Sequence, residues 1–364
     1  MRSRRKIVSE HIRDKPSAQA LRRLSGVLAT AALLAGAAAL GPPAALSDPQ
    51  VKPNSGSSDK PDPAAPTTAP PATPFIQRIT QVGERKLRVF ISSPAMRRTV
   101  EVQVLLPRNT SQPRPVVYML DGRSAKSESN NWTVLGGAAE FFEDKDVTVV
   151  LTVGGPASYY TDWRREDPVL GLNKWETFLT EELPPLIDAQ FAGTGRNAVM
   201  GVSMGAEAAL MLAVRQPELY AAVAGHSGCY EMGSDAGQAQ ARAVVATYNG
   251  KADNMFGPEE DPQWRAHDVL SQADALRGKA IYLSAGSGIP GKYDVPGNPE
   301  LVSAVGFGGP LEAATFTCTR SLADRLAALG IPAAVNLRPT GTHSWPYWSD
   351  ELAASWPALA AGLS

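Results

Sequence analysis

A Gly-x-Ser-x-Gly motif at residues 201–205 constrains the fold of this chain more than any other feature of its sequence. An apolar run at 197–201, which predicts a short β-strand, leads into the serine. A strongly helical stretch at 206–215 follows it. A serine held between a strand and a helix in this way is typical of a turn that presents a nucleophile.

The residues of the motif meet the chemical needs of such a turn. The backbone passes tightly at the serine, which small residues at Gly201 and Gly205 permit. The turn exposes the Ser203 hydroxyl and places the backbone N–H of Met204 at a helix N-terminus, where it can bind the oxyanion of a tetrahedral intermediate. We therefore predict that Ser203 is a nucleophile; the alternative is a glycine-rich connection in an inactive protein of the same fold.

Further apolar runs predict the architecture around the motif. The run at 116–120 ends at Asp121-Gly122, as a buried central strand does where it passes into a loop. Residues 174–191 have helical spacing, with Pro184 marking a kink or break. Strands are also predicted at 100–106, 147–153, 220–225, 280–284 and 333–337. Strands alternating with helices predict an α/β-hydrolase fold, a single domain with a mostly parallel central sheet and helices on both faces.

Composition divides the chain into three parts. Residues 1–47 combine a basic start with an apolar run, which predicts an export signal; the alternative is an uncleaved N-terminal anchor. Residues 48–74 are rich in proline and poor in large apolar side chains, which predicts a disordered spacer. Residues 75–364 are left as the catalytic domain. We expect a secreted or cell-envelope protein after removal of the signal.

Charge and cysteine content narrow the function further. The net charge is −1, which gives no electrostatic case for a nucleic-acid partner. The two cysteines, Cys229 and Cys318, are free to form a disulfide in an exported protein, although sequence does not give their separation. Two cysteines and four scattered histidines offer no metal-ligand spacing, so we expect neither a metal nor another cofactor.

A serine nucleophile needs a histidine base later in the chain. His11 lies in the export region, and His226 follows the serine too closely for the usual order. His267 sits in a polar stretch and is expected at the surface. His343 lies near the C-terminus, just after a predicted strand, and is the preferred base.

The acid and the second oxyanion donor are less constrained by spacing. Asp294, Glu300 and Glu312 all lie between the serine and His343, and spacing alone does not decide among them. The second oxyanion N–H is expected in the loop after an early central strand, and the backbone N–H of Arg123 fits that position.

Several blocks of the sequence besides the nucleophile motif at 201–205 carry a family resemblance. They are the block at 341–348, which contains His343, the segment Leu120-Asp121-Gly122 with Asn130 and Trp132, and residues 158–163, 174–180 and 255–264. In these blocks, and from about Phe75 to the C-terminus, the chain resembles the antigen 85-type mycolyltransferases of actinobacteria that have mycolic-acid envelopes.

The resemblance implies transfer of a mycolyl group from trehalose monomycolate to a second trehalose monomycolate or to cell-wall arabinan. It implies Ser203 as nucleophile, His343 as base and Glu312 as acid, with the N–H groups of Met204 and Arg123 as oxyanion donors. It also implies substrate contacts for four residues, namely Asp121 and Trp345 on the trehalose side and Asn130 and Trp132 in the substrate loop. The expected protein is a monomer peripheral to the outer envelope.

Three departures from the family pattern affect these expectations. Ser124 replaces the arginine that follows the oxyanion residue, and Leu135 replaces an asparagine, so two sugar contacts of the family are changed. Residues 167–170 stand where the family has a pair of cysteines, which leaves Cys229 and Cys318 as the alternative pair. An exported carboxylesterase and a non-catalytic envelope binding protein of the same fold remain alternatives.

Overall fold

The computed structural model describes residues 73–364, so the predictions of an export signal at 1–47 and of a spacer over most of 48–74 lie outside the described residues. The described chain forms one nine-stranded sheet with the strand order β1-β2-β3-β5-β4-β6-β7-β8-β9. The strands are β1 Phe75–Gln81, β2 Lys86–Ser93, β3 Arg98–Leu105, β4 Arg114–Leu120, β5 Thr148–Thr152, β6 Gly193–Val202, β7 Tyr220–His226, β8 Ala280–Gly286 and β9 Ala334–Arg338.

Helices connect these strands. The α-helices are α1 Asn131–Val134, α2 Ala138–Phe141, α3 Trp175–Thr177, α4 Leu183–Phe191, α5 Met204–Arg215, α6 Asp235–Ala246, α7 Ala252–Met255, α8 Pro262–Ala266, α9 Leu301–Ser303, α10 Gly309–Ala328 and α11 Trp345–Leu363. Short 3₁₀ turns span Phe142–Asp144 and Ala273–Leu276, and π-helical turns span Phe178–Glu182 and Ala304–Gly308. Within residues 73–364 none of these helices is both long enough and apolar enough to span a membrane.

The α/β prediction is confirmed. Strands β5, β4, β6, β7, β8 and β9 pair in parallel, while β1, β2 and β3 form an antiparallel edge that joins the sheet through β5. One hydrophobic cluster packs α4, α5 and α10 on one face of the sheet, and a second packs α2 and α11 on the other. Parallel strands covered on both faces explain why the central runs are continuously apolar.

A kink or break was predicted at Pro184, and the structure has a π turn just before it within a segment that stays helical from Trp175 to Phe191. The helical segment begins as α3, passes through a π turn at Phe178–Glu182 and resumes as α4 with Pro184 in its first turn. Proline is tolerated there because the first N–H groups of a helix have no partner within the helix.

The two cysteines are joined in the structure. Cys229, in the loop after β7, forms a disulfide with Cys318 on α10, and their Cα atoms lie 4.8 Å apart. The two cysteines are 89 residues apart in the sequence. It ties the end of a central strand to the helix that carries Glu312.

Helix α5 is buried over nearly its whole length and contains one acidic residue, Glu207, which is also buried. Oε1 of Glu207 accepts hydrogen bonds from the backbone N–H of Cys229 at 3.1 Å and from Nε2 of Gln240 at 2.8 Å. Its Oε2 has no hydrogen-bond partner among the described residues. Burial raises the pKa of Glu207 to about 8 from an ordinary value of 4.5, so the folded protein holds this carboxyl mostly protonated at neutral pH.

Glu207 therefore makes folding stability depend on pH. The folded state binds the proton between the two pKa values and the unfolded state releases it, so this contribution to stability is lost as the pH rises from about 4.5 to about 8. In the wild type, this effect lowers the free energy of unfolding by up to about 5 kcal/mol over that pH range. We expect Glu207→Gln to abolish this fall, measured by denaturant unfolding at several pH values. Parallel pH dependence in the wild type and the variant would contradict this assignment.

Candidate active site

Ser203 lies on the strained turn that its motif predicts. It stands between β6 and α5 with φ 55° and ψ −126°, a left-handed conformation that is rare for a residue with a side chain. Its backbone N–H donates to the carbonyl of His226 at 2.8 Å. A Cβ at Gly201 would collide with the carbonyl of Gly205, so the motif needs glycine at the position where the strand meets the helix.

The structure brings Ser203, His343 and Glu312 together in one chain of hydrogen bonds. Nε2 of His343 lies 2.9 Å from Oγ of Ser203, and Nδ1 of the same ring lies 2.7 Å from Oε2 of Glu312. The His343 and Glu312 side chains are 8% and 0% exposed, so water does not compete for the second contact. A base that contacts both a serine hydroxyl and a buried carboxylate is the arrangement that activates a serine nucleophile.

Glu312 is held by donors on both of its oxygens. Oε1 accepts the Ser227 hydroxyl at 2.8 Å and the Gly286 N–H at 2.6 Å. The Thr315 hydroxyl, one turn along α10, donates to Oε2 at 3.2 Å. Ser227 in turn accepts Nε1 of Trp348 at 3.0 Å. Sequence inspection missed Ser227, because a serine that follows a strand carries no signal of a contact 85 residues away.

The two other candidates for the acid have different positions. Asp294 accepts hydrogen bonds from the Thr342 hydroxyl at 2.8 Å and from the Tyr347 hydroxyl at 2.6 Å, so it supports the loop before His343 from outside. Glu300 lines the mouth of the cleft in front of Ser203.

The remaining described histidines are both buried. His226 is fully buried with Nδ1 2.9 Å from the Ser284 hydroxyl, and burial, assisted by the charge of Arg338, lowers its pKa to about 3. The expectation of a surface position for His267 is wrong, since this residue is 3% exposed. Its ring stacks on Phe256 and reaches the Thr161 hydroxyl at 3.2 Å, because the turn of α8 directs it inward.

The loop at 121–123 borders the nucleophile. A Cβ added to Gly122 would lie 3.7 Å from Cβ of Ser203. Asp121 fixes this loop: its Oδ1 accepts the Gly122 N–H at 2.8 Å, and its Oδ2 accepts the N–H and the amide of Asn131 at 2.8 and 2.9 Å. Burial raises the pKa of Asp121, although these donors oppose the shift. Within residues 73–364 no hydrogen bond uses the backbone N–H of Arg123 or Met204.

Ser203 and His343 open into a cleft of about 630 Å³. Its apolar wall includes Leu135, Val202, Phe307, Leu311, Trp345 and Trp348. Its polar groups include Asp121, Arg123, Ser124, Asn298, Glu300, Ser303 and Ser344. Two of the four predicted substrate residues, Asp121 and Trp345, therefore border the cleft, although the Asp121 side chain is almost fully enclosed.

The other two predicted substrate residues do not reach the cleft. Asn130 and Trp132 are both 0% exposed. The Asn130 amide donates to the carbonyl of Thr152 at 2.7 Å, and Nε1 of Trp132 donates to the carbonyl of Leu120 at 2.9 Å. The Trp132 ring meets the ring of Trp345 edge-on at 5.3 Å. Both residues thus support the cleft wall from behind, because their polar groups are already used inside the protein.

Residues 93–359 match the sequence model of the putative esterase family. The chain is 34% identical over 284 residues to the diacylglycerol acyltransferase/mycolyltransferase Ag85B of Mycolicibacterium smegmatis, with 74% of this chain and 83% of that relative covered. It is 32% identical to the Ag85A protein of the same description from Mycobacterium tuberculosis, covering 75% of this chain and 80% of the relative. The chain belongs to the antigen 85-type mycolyltransferase family.

Solved structures of the antigen 85 and esterase type share the fold. MPT51 (FbpC1) of Mycobacterium tuberculosis superposes with a TM-score of 0.63 at 22% identity, covering 75% of this chain and 96% of that one. An S-formylglutathione hydrolase from Agrobacterium tumefaciens superposes with a TM-score of 0.55 at 17% identity, covering 78% and 99%. The antigen 85 relatives and the esterase family together describe an acyl-transferring enzyme of the hydrolase type.

Two of the three departures from the antigen 85 pattern, Ser124 and Leu135, lie at this cleft. Ser124 is exposed beside the loop at 121–123, and Leu135 is half-exposed on the wall next to Trp345. A small hydroxyl and an aliphatic group thus stand where the family resemblance implies an arginine and an asparagine. The wall formed by these residues is correspondingly less polar.

A conservative substitution of Glu312 tests whether this residue is the acid of the candidate triad. We expect Glu312→Gln to lower kcat on a short p-nitrophenyl ester by about three to four orders of magnitude, because the amide cannot stabilise an imidazolium. Glu300→Gln is the matched control and should stay within a few-fold of wild type, since Glu300 lies at the cleft mouth. Near-normal activity of Glu312→Gln would identify a different acid.

Proposed function

We propose that this protein is a serine-dependent O-acyltransferase that moves a mycolyl group from trehalose monomycolate to a second trehalose monomycolate or to cell-wall arabinan. The observation that carries the proposal is the hydrogen-bonded chain from Glu312 through His343 to Ser203, which ends at a cleft with an apolar wall. The names of the antigen 85 relatives, diacylglycerol acyltransferase/mycolyltransferase, support a mycolyl group as the group transferred. Trehalose as the sugar is inferred from the family resemblance of the sequence.

The first half of the reaction forms an acyl-enzyme. Nε2 of His343 takes the proton of the Ser203 hydroxyl as Oγ attacks the ester carbonyl. The oxyanion that forms is bound by the backbone N–H groups of Met204 and Arg123, the first of which lies at the N-terminus of α5. His343 then returns the proton to the leaving oxygen, and trehalose departs with the acyl chain left on Ser203.

The second half decides between transfer and hydrolysis. An acceptor hydroxyl enters the site vacated by trehalose, gives its proton to His343 and attacks the acyl-serine. Leu135, Phe307 and Leu311 provide an apolar wall for the acyl chain. Asp121 and Trp345 stand on the sugar side, where Asp121 acts by holding the loop that carries the Arg123 N–H.

Location and partners follow from the same proposal. Residues 1–47 direct export and 48–74 separate the domain from its point of attachment, so the enzyme works at the cell envelope as a monomer on trehalose mycolates and arabinogalactan. The predicted pairing of Cys229 with Cys318, present in the structure, suits an oxidising compartment.

An exported carboxylesterase is the second candidate function. It is favoured by the first half-reaction, which needs only Ser203, His343 and Glu312. It is also favoured by Ser124 and Leu135, which replace an arginine and an asparagine of the family pattern at the cleft. A non-catalytic binding protein is the third candidate, and a complete Ser203–His343–Glu312 chain with good geometry counts against it.

Purified protein and trehalose monomycolate separate these functions. We expect trehalose dimycolate and free trehalose to accumulate, with both lost by at least about a thousandfold in Ser203→Ala and His343→Ala, because the triad acts as a unit. Free mycolic acid without dimycolate would favour the esterase. If wild type and Ser203→Ala are equally slow on this substrate and on p-nitrophenyl butyrate, the binding protein is the correct candidate. Thermal unfolding of each variant controls for folding.

A further inference from the structure

A second pair of buried charges lies behind Glu312. Arg338 is the last residue of β9, and its Nη1 donates to Oε1 of Glu351 on α11. The Glu351 side chain is 2% exposed and accepts two more hydrogen bonds, from the Asn336 amide at 2.8 Å and from the Tyr282 hydroxyl at 2.6 Å. A buried carboxylate with this many donors is held in one fixed place.

Arg338 also faces the catalytic acid. Its Nη2 lies 3.5 Å from Oε1 of Glu312, and the two side chains are 15% and 0% exposed. Among the described residues Nη2 and Nε of Arg338 have no hydrogen-bond acceptor, so this contact is an attraction between charges rather than a hydrogen bond. Little solvent lies nearby to screen the attraction, and one guanidinium therefore acts on both carboxylates.

The local charge sums to −1. Glu312 and Glu351 each contribute −1 and Arg338 contributes +1, so the Arg338–Glu351 pair cancels and leaves one negative charge beside His343. Further titratable groups packed here are neutral at pH 7. Burial raises the pKa of Tyr282, Tyr230 and Tyr347, the last to about 12, and burial lowers the pKa of His226 to about 3.

Two other carboxyl groups face the histidine loop from outside this cluster. Asp294 holds Thr342 and the Tyr347 hydroxyl, and Asp121 lies across the cleft. Neither contacts Arg338 or Glu351 within hydrogen-bond distance among the described residues. Changes at Arg338 and Glu351 therefore alter the charge behind Glu312 without removing a group from the cleft.

We propose that Arg338 and Glu351 are positioning residues that set the charge felt by the catalytic pair. Glu351 holds the guanidinium in place, and Arg338 anchors Glu312 in the orientation that His343 requires. Because the pair is neutral in sum, Glu312 alone provides the negative charge that stabilises the imidazolium formed during acyl transfer. The inference rests on the proposed serine chemistry and adds two residues to it.

The pair is also placed to hold the catalytic loop. Arg338 directly precedes residues 339–344, which contain His343, and α11 directly follows them. The contact between Arg338 and Glu351 therefore closes the two ends of this loop. A hydrogen bond from the His343 N–H to the carbonyl of Gly308, at 3.1 Å, fixes the loop from the side of α10.

A charge series tests the inference through the pH profile of kcat/KM on p-nitrophenyl butyrate. Glu351→Gln makes the local sum 0, Arg338→Met makes it −2, and the double variant restores −1. Positive charge disfavours an imidazolium. The acidic limb should therefore move to lower pH in Glu351→Gln and to higher pH in Arg338→Met, each by about half a unit to one unit. The double variant should return to within a few tenths of a unit of wild type.

Controls separate charge from folding. Lys292→Met removes an exposed cation, paired with Asp350, from a loop beside the cleft and should leave the limb unchanged, because solvent screens it. Arg338→Lys keeps the charge and should keep the limb while lowering kcat. If Arg338→Met does not fold, the inference is still tested by the contrast between Glu351→Gln, in which the acidic limb moves, and Arg338→Lys, in which it stays.

Two results would overturn the inference while leaving the proposed function intact. One is a fall in rate in every variant with no movement of the acidic limb, which would indicate purely structural residues. The other is a double variant whose limb follows either single variant. If the wild type is no faster than Ser203→Ala, the proposed function fails instead, and NMR titration of the His343 ring in the same variants then reads the charge effect without activity.

Discussion

A fully buried carboxylate is tolerated only where hydrogen-bond donors and a positive charge meet it, and Glu312 imposes this requirement on the rest of the domain. Donors reach it from the loop after β7, through Ser227, and from the end of β8, through Gly286. His343 contacts Glu312 from the loop after β9, and Arg338, the last residue of that strand, faces the same carboxylate. The carboxylate therefore contacts residues at the ends of three neighbouring strands, β7, β8 and β9.

The parallel sheet makes this convergence possible. Because β6, β7, β8 and β9 run in the same direction, their carboxyl ends and the loops that follow lie along one edge. Ser203 leaves that edge on a turn with positive φ, which directs its hydroxyl toward Nε2 of His343. The buried helix α5 and the Cys229–Cys318 disulfide support the same edge from below. Catalytic geometry and fold stability thus depend on the same strand ends.

Local features of the chain were predictable from sequence. The turn at Ser203 is encoded by adjacent residues, and the central strands by apolar runs that both faces of the sheet require. The antiparallel edge strands β1 and β2 were not predicted, since β1 exposes most of its residues and forms through pairing with β2. The π turn at Phe178–Glu182 was not predicted either, because it depends on tertiary packing around Pro184.

Residues whose contacts lie far away in the sequence were harder to predict from the sequence. Spacing left Asp294, Glu300 and Glu312 as open candidates for the acid. The family resemblance favoured Glu312, and the fold places Glu312 against His343. The assignment of Asn130 and Trp132 to substrate came from resemblance, whereas the fold places both behind the wall. Ser227 and the Arg338–Glu351 pair carry no sequence motif at all.

Acyl transfer through an ester on Ser203 requires that this ester can be trapped. The experiment mixes the protein with p-nitrophenyl octanoate, quenches in acid and measures intact and peptide masses. We predict a mass increase of one octanoyl group on the peptide that contains Ser203, discharged faster when trehalose is added and absent in Ser203→Ala. An acyl group on another residue, or full turnover by Ser203→Ala, would contradict the claim.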